Sequence, residues 1–281
     1  MKNSNALSLP DWAKRARRTA TVDGIQTNYF ELGTGPSLVL VHGGGPGADS
    51  WGNWNICLQE YARNFHVIAY DMPGFGRTAK PSPTNYPYDQ ESRNRHLIAL
   101  LEQLGLQQVN LIGNSMGGAT SLGACIQRPD LVKKLVLMGA AGLDVNNPDP
   151  TPKDQLRKYD FTLEAMRTVV KTLTGSQYVP SDEVILYRHE LMQDPEAQAA
   201  LLQIVRSKLV YDESQIAQVK TPTLVVSGKE DQIAVPARSQ RYLELLENSS
   251  GFAIPHVGHW VMLEAPEVFV EITMHFMLND W

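Results

Sequence analysis

The chain has 281 residues, of which 43% are hydrophobic and 20% are charged, so it can bury a substantial core. Its 25 Lys and Arg against 30 Asp and Glu give a net charge of −5. Because no long block of one charge sign is present, we expect no nucleic-acid partner. We also expect a cytoplasmic protein without membrane association, since the sequence shows neither a secretory signal pattern nor a run of about 18 apolar residues.

Short apolar runs alternate with helical patterns along most of the chain. The pattern first predicts an antiparallel hairpin that turns at Asp23 and Gly24. Near-continuous apolar runs then predict buried parallel strands over 37–43, 66–71, 109–114, 134–139, 223–228 and 251–255. Helices are predicted over 90–104, 116–128, 236–247 and 266–278. This alternation is typical of an α/β fold, a mostly parallel twisted sheet flanked by helices.

One long segment interrupts the alternation. Between about residues 146 and 218 there is no strand pattern, but several amphipathic stretches occur, such as "DFTLEAMRTVVKTL". A segment so organised is too structured for a linker. We therefore predict a helical cap, or lid, over residues 146–218, inserted into a core formed by residues 1–145 and 219–281.

The sequence "GNSMGG" places Ser115 between a predicted strand and a predicted helix. A G-x-S-x-G motif in this context predicts a tight turn that lifts the serine hydroxyl above the sheet, with Gly113 and Gly117 relieving the crowding beside it. The structural alternative is a small residue in a glycine-rich loop. The context favours Ser115 as a catalytic nucleophile, which also requires a base, an orienting acid and an oxyanion site.

The base and the acid are expected to follow the serine in this chain order. His259 lies in a loop just before the last predicted helix, the position in which the base is expected. Asp231 follows a buried strand and is predicted to orient the imidazole of His259. Glu230 is the alternative acid. His42 directly follows a strand and precedes "GGGPG", so we expect it to shape the oxyanion loop instead.

The stretch "HGGGPG" supplies the remaining part of a serine hydrolase site. Consecutive glycines let the backbone approach a ligand closely with its N–H groups available. We predict that the backbone amides of Gly44 and Met116 form the oxyanion hole. A glycine tract of this kind can also be no more than a flexible loop.

The motifs "HGGGPGA", "GNSMGGAT" and "GHWVMLEAPE" together resemble those of the meta-cleavage product hydrolases. These enzymes of the α/β-hydrolase superfamily hydrolyse carbon–carbon bonds in bacterial aromatic catabolism. The resemblance covers nearly the whole chain from about Thr21, whereas the first twenty residues match no motif. It implies hydrolysis of a 2-hydroxy-6-oxohexa-2,4-dienoate to 2-hydroxypenta-2,4-dienoate and a carboxylic acid. It also implies a homo-oligomer, and it leaves open whether the serine attacks C6 or activates a water.

The resemblance further implies a set of substrate contacts. Asn53 and Asn114 match the polar residues that contact the dienoate, and Trp260 matches the tryptophan that follows the base. Arg188 matches the arginine that grips the substrate carboxylate or oxyanion. The structural alternatives are core packing for Trp260 and a solvated helix face for Arg188. Leu173 stands where biphenyl-pathway members have phenylalanine, so the C6 substituent stays open between aryl, aminophenyl and alkyl.

Two other functions fit part of the pattern. A carboxylesterase would use the same three catalytic candidates on an ester, but it would not require the four substrate contacts together. A catalytically silent ligand-binding protein of the same fold would not require an intact set of catalytic candidates. No cofactor or metal is predicted, since Cys57 and Cys125 lack the spacing of metal ligands.

Overall fold

The computed structural model describes residues 9–279. The ends of the predicted core, residues 1–8 and 280–281, lie outside the described residues, as does the start of the segment searched for a secretory signal. The central element is a single sheet with eight strands: β1 (Arg17–Val22), β2 (Ile25–Leu32), β3 (Ser37–Val41), β4 (His66–Tyr70), β5 (Val109–Asn114), β6 (Val132–Met138), β7 (Thr223–Gly228) and β8 (Ser249–Ile254).

The strand order is β1-β2-β4-β3-β5-β6-β7-β8. The pairs β1–β2 and β2–β4 are antiparallel, and the other pairs are parallel. The predicted hairpin is present: Val22 pairs with Ile25, and both turn residues have positive φ, 47° at Asp23 and 75° at Gly24. The mostly parallel α/β sheet is thus confirmed.

Helices connect the strands along the chain. Before the long insertion they are α1 (Asp11–Ala16), α2 (Ser50–Trp54), α3 (Leu58–Tyr61), α4 (Gln90–Gln103) and α5 (Met116–Gln127). Within it they are α6 (Thr151–Arg157), α7 (Leu163–Leu173), α8 (Asp182–Leu191), α9 (Pro195–Ile204) and α10 (Glu213–Ala217). After it they are α11 (Pro236–Leu245), α12 (Val261–Glu264) and α13 (Pro266–Leu278). Among residues 9–279, no helix is long and apolar enough to cross a bilayer.

The six predicted parallel strands are present, with ends that differ by at most two residues. One expectation about them is wrong. The run over 251–255 was expected to be covered on both faces, but β8 is the edge of the sheet, and Gly251, Phe252 and Ala253 are exposed. An edge strand has a neighbour on one side only, so its apolar residues are not enclosed as those of a central strand are.

The sheet has an apolar core on each face because successive strand residues point in opposite directions. Val39 and Leu111 belong to the core under α4, α5 and α11, whereas Leu38 and Ile112 belong to the opposite core with α13. The insertion adds to this second core through the buried residues of α7, which are Met166, Val169, Val170 and Leu173. Helix α10 packs instead against α5 and α11. The domain boundaries at 145/146 and 218/219 stay a prediction.

Candidate active site

Ser115 occupies the turn between β5 and α5. Its φ of 53° and ψ of −115° lie outside the regions that a non-glycine residue ordinarily adopts. Two backbone hydrogen bonds hold this turn: the N–H of Ser115 donates to the carbonyl of Met138 at 3.0 Å, and its carbonyl accepts from Ala141 at 2.9 Å. Ser115 is partly exposed and lines a cavity between the sheet and the helical insertion.

The glycines around Ser115 allow the helix to start close to two strands. A Cβ atom on Gly117 would lie 2.3 Å from the carbonyl oxygen of Val41 and 2.4 Å from that of His42. One on Gly113 would lie 2.4 Å from the carbonyl oxygen of Gly117. These are backbone contacts that cannot rotate away, so only glycine fits at either position.

His259 lies in the loop before α12 and is buried. Its Nδ1 bonds to Oδ2 of Asp231 at 2.7 Å. Since a carboxylate only accepts, Nδ1 carries the proton and Nε2 is the basic nitrogen. Oδ1 of Asp231 accepts from the backbone N–H groups of Ile233 and Ala234, both at 2.8 Å. Burial alone would raise the pKa of Asp231, but His259 and these hydrogen bonds outweigh it and hold the pKa below its ordinary value.

Glu230, the alternative acid, has other partners. Its carboxylate accepts from the backbone N–H of Ser176 at 2.7 Å and from the Ser176 hydroxyl at 3.0 Å. It also pairs with Nδ1 of His256 at 3.4 Å. The structure therefore brings Asp231, and not Glu230, to His259.

The loop after β3 lies against the start of α5. A Cβ atom on Gly44 would be 2.6 Å from the Met116 side chain, so the two residues predicted to form the oxyanion hole lie next to each other in space. His42 fixes this loop: its Nε2 accepts from the N–H of Met72 at 2.9 Å, and its Nδ1 donates to the carbonyl of Gly43 at 2.6 Å. Burial lowers the pKa of His42 to about 4, so the ring is neutral at neutral pH. These contacts agree with the structural role expected for His42.

The four predicted substrate contacts line the same cavity as Ser115 and His259. Asn53 donates from Nδ2 to Oδ1 of Asn114 at 3.1 Å, so these two amides form one polar edge. The Arg188 guanidinium lies over the ring of Trp260, with 4.8 Å between Cζ and the ring centroid. Such a contact stabilises a cation in a site with little water.

Arg188 is 4% exposed and has no carboxylate partner among residues 9–279. Its Nη2 donates to the carbonyl of Pro46 at 2.6 Å, and its Nε is buried without a hydrogen-bond partner. Burial lowers the pKa of Arg188 to about 10, which still leaves it charged at neutral pH. The carboxylate of Asp49 favours the charged form of Arg188 only from beyond ion-pair distance, so an anionic ligand in this cavity would reduce the cost of burying the cation.

The cavity lining also includes apolar side chains. These are Ala48, Leu156, Leu173 and Ile233. Leu156 and Leu173 come from the helical insertion, and Ile233 comes from the loop that carries the acid. Leu156 and Ile233 were not predicted, because each lies in a segment whose apolar pattern indicates only packing.

Asp49 is a second buried carboxylate beside the site, and sequence reasoning missed it. It accepts from the Tyr187 hydroxyl and, at 2.6 Å, from the N–H of Gly52. Burial, and then the neighbouring Asp71, raise the pKa of Asp49. Because Tyr187 precedes Arg188 on α8, this contact anchors the helix that delivers the arginine. Its sequence signal is an aspartate directly before a helix, which is typical of an N-cap and not of a site.

Among residues 9–279, no group of three or more His, Cys, Asp or Glu side chains could hold a metal ion. The same cavity is lined by the Ser115 hydroxyl, by His259 with its bound carboxylate, and by the buried guanidinium of Arg188, a combination that suits nucleophilic catalysis on an anionic substrate.

Comparison with known proteins places this geometry in a family. The sequence pattern of the α/β hydrolase fold matches residues 36–266. The 2-hydroxy-6-oxo-6-(2'-aminophenyl)hexa-2,4-dienoic acid hydrolase of Metapseudomonas resinovorans is 41% identical, over 92% of this chain and 90% of that protein. The 2-hydroxy-6-oxo-2,4-heptadienoate hydrolase of Pseudomonas putida is 34% identical, over 94% of this chain and 96% of that protein.

Solved structures agree with these relatives. The crystal structure of a serine hydrolase involved in carbazole degradation has a TM-score of 0.85 and 39% identity, and the match covers 93% of this chain and 98% of that one. A variant of a meta-cleavage product hydrolase has a TM-score of 0.87 and 26% identity, with 92% and 97% covered. The chain therefore belongs to the α/β-hydrolase superfamily and, within it, to the meta-cleavage product hydrolases.

Proposed function

We propose that this protein hydrolyses the carbon–carbon bond of 2-hydroxy-6-oxohexa-2,4-dienoates, the products of extradiol ring cleavage. The observation that carries the proposal is one cavity in which Ser115 and His259 lie beside Arg188, a buried cation with no carboxylate partner in the described chain. An ester needs no such cation, whereas a dienoate brings its own anion. The names of the relatives support the same substrate class.

The reaction breaks the bond between C5 and C6 and consumes a water. A proton moves from the 2-hydroxyl group to C5, which produces a ketone at C2 that can accept electrons. An oxygen nucleophile then adds to C6. When the C5–C6 bond breaks, its electrons return through the conjugated chain to the C2 oxygen, which regains a proton. C6 leaves as the carboxylic acid, and the other product is 2-hydroxypenta-2,4-dienoate.

In the proposed mechanism His259 is the general base. Its Nε2 accepts the proton of the attacking hydroxyl, which belongs either to Ser115 or to a water that Ser115 orients. Asp231 holds the tautomer and stabilises the imidazolium that forms. The backbone N–H groups of Gly44 and Met116 stabilise the oxyanion that develops on the C6 oxygen.

The polar and apolar lining residues support an orientation for the substrate. We assign the dienoate to the contacts offered by Arg188, Trp260 and the amides of Asn53 and Asn114. The C6 substituent then lies against apolar residues such as Leu173. Such a lining suits an aryl or alkyl group, and the relative from M. resinovorans makes 2'-aminophenyl the first to test.

The experiment that tests the proposal identifies products. The purified protein is mixed with aminophenyl, phenyl and methyl ring-cleavage products in water labelled with ¹⁸O. We expect the dienolate absorbance to decay and the label to appear in the carboxylic acid. Simple esters are run in parallel. Turnover of esters with intact dienoates would establish the carboxylesterase alternative, and tight dienoate binding without turnover would establish the silent binding protein.

Three further features belong to the same proposal. We propose that residues 146–218 act as a cap over the core, that the protein is a homo-oligomer, and that it works in the cytoplasm. Sedimentation velocity over a range of concentrations tests the second of these. A single monomeric species at micromolar concentration would contradict it.

A further inference from the structure

Glu264 makes three backbone hydrogen bonds next to the base and has no part in the mechanism above. Its Oε2 accepts from the N–H of Gly258 at 3.0 Å, and its Oε1 accepts from the N–H of Trp260 at 3.1 Å. These two donors lie on either side of His259 in the chain. Oε2 also accepts from the N–H of Gly175 at 2.7 Å, in the loop that follows α7. Residues 255–260, between β8 and α12, form the loop that carries His259, and we call it the base loop. One carboxylate thus binds the base loop and the insertion together.

The two segments that Glu264 joins are also in direct contact. The N–H of His259 donates to the carbonyl of Leu173 at 2.9 Å. A Cβ atom on Gly258 would lie 2.5 Å from the backbone nitrogen of Gly175, and one on Gly175 would lie 2.5 Å from the carbonyl oxygen of His256. The backbones therefore meet without intervening side chains, and a small movement of one is transmitted to the other.

We propose that Glu264 is a positioning residue that sets the place of His259 relative to Ser115 through the base loop. The choice of dienoate as the test substrate rests on the proposed function. The claim that Glu264 positions His259 does not depend on it. A carboxylate that accepts several N–H bonds makes strong charge-assisted contacts, and these contacts lie directly beside the catalytic imidazole. The carboxylate also holds the loop after Leu173, one of the apolar residues that line the cavity.

Glu230 provides a matched control, because it too joins the core to the loop after α7. We call this contact region between the core and residues 175–176 the junction. It binds the next residue of the insertion, Ser176, through both the backbone N–H and the hydroxyl. It does not bind the N–H groups on either side of His259, since Glu264 accepts both. If the junction mattered only because it docks the insertion on the core, loss of either carboxylate would have a similar effect.

The test compares Glu264→Gln, Glu264→Ala and Glu230→Gln in the full-length protein. Glutamine keeps one acceptor oxygen and turns an amide group towards a donor, so it retains part of the contacts, whereas alanine retains none. Two rates are measured: kcat on the best dienoate, and labelling of Ser115 by a small fluorophosphonate. The second rate depends on activation of the serine and requires no dienoate, so it stays informative even if the proposed substrate is wrong.

We expect both rates to fall in the order wild type, Glu264→Gln, Glu264→Ala, with kcat of the alanine variant reduced by about 10- to 100-fold. We expect KM to change little and Glu230→Gln to behave like the wild type. If the alanine variant does not fold, the glutamine variant alone decides. Wild-type labelling by folded Glu264 variants, even with lowered thermal stability, would overturn the proposal, as would equal losses in Glu264→Gln and Glu230→Gln.

Discussion

Arg188 is buried between the oxyanion loop and Trp260, and within residues 9–279 no carboxylate forms an ion pair with it, since Asp49 acts on its charge only from a longer distance. A planar carboxylate or dienolate can accept two parallel hydrogen bonds from a guanidinium, which glutamine cannot supply. We expect Arg188→Gln to lower kcat/KM on dienoates by about 100-fold, or roughly 3 kcal/mol of transition-state stabilisation. Steady-state kinetics on dienoates and on uncharged esters check this prediction.

The esters are the control for the arginine, because they carry no anion for it to bind. Their hydrolysis, where measurable, is expected to change little. A parallel loss on both substrate classes at unchanged thermal stability would show that Arg188 organises the site in general, and the assignment of the anionic end to it would be wrong.

Asp231 and Glu230 are neighbours in sequence with different surroundings. Asp231 holds Nδ1 of His259, whereas Glu230 binds Ser176 and His256. We expect Asp231→Asn to leave the fold intact and to lower kcat by about 10³- to 10⁴-fold, because an amide in this position favours the wrong imidazole tautomer. Glu230→Gln is expected to have little effect on kcat. Comparable losses in the two variants would mean that the acid is misassigned.

At the scale of single residues, motifs and chain order were enough to predict the three catalytic candidates. Ser115, Asp231 and His259 each follow a strand in the order expected for this fold. The contacts of Glu264 and Asp49 were not predictable, because they depend on where distant loops meet. Glu264 lies within the motif "GHWVMLEAPE", yet nothing in this motif indicates that its carboxylate reaches Gly175 in the insertion.

At the scale of elements, helix α5 starts against the end of β3 at a distance that Gly117 sets. A Cβ atom there would meet the backbone oxygens of Val41 and His42 at 2.3 and 2.4 Å. We expect Gly117→Ala to cost about 1–3 kcal/mol of folding stability. We also expect it to reduce turnover strongly, since Ser115 and the oxyanion loop lie on the two sides of this contact. Thermal denaturation and kcat measure the two effects.

Gly105→Ala is the control for Gly117→Ala. Gly105 has a positive φ of 65°, but a Cβ atom there would meet no other atom within 4 Å. The substitution is expected to cost about 1–2 kcal/mol through backbone strain alone and to leave kcat unchanged. If Gly117→Ala retained the turnover of Gly105→Ala, the close start of α5 would not matter for catalysis.

The elements that periodicity predicts well are those long enough to show it. Strands β3 to β7 and the helices α4, α5, α11 and α13 were predicted within about two residues at each end. Helices α1, α2, α3 and α12 have between four and six residues, too few to reveal a helical period. Of these four helices only α2 has a side-chain cap: Asp49, which directly precedes it, accepts from the N–H of Gly52.

At the scale of the whole molecule, the topology explains why residues far apart in sequence meet. The oxyanion loop, Ser115, Asp231 and His259 follow β3, β5, β7 and β8, which are parallel. The carboxyl ends of parallel strands lie at one edge of the sheet, where α/β proteins bind their ligands. The helical insertion follows β6 at the same edge and supplies Arg188 and Leu173 from above. A helical cap over one end of the sheet was predicted, but the direct backbone contact between Leu173 of α7 and His259 was not.

The most direct test of the central claim is to compare the wild-type protein with Ser115→Ala on the aminophenyl dienoate. Decay of the dienolate absorbance measures turnover, and calorimetric titration of the variant measures binding. We expect rapid turnover by the wild type, a loss of at least about 10⁴-fold in the variant, and retained binding, because Arg188, Asn53, Asn114 and Trp260 are unchanged. Dienoate turnover by the variant at a rate near that of the wild type, or no turnover by either protein, would contradict the account.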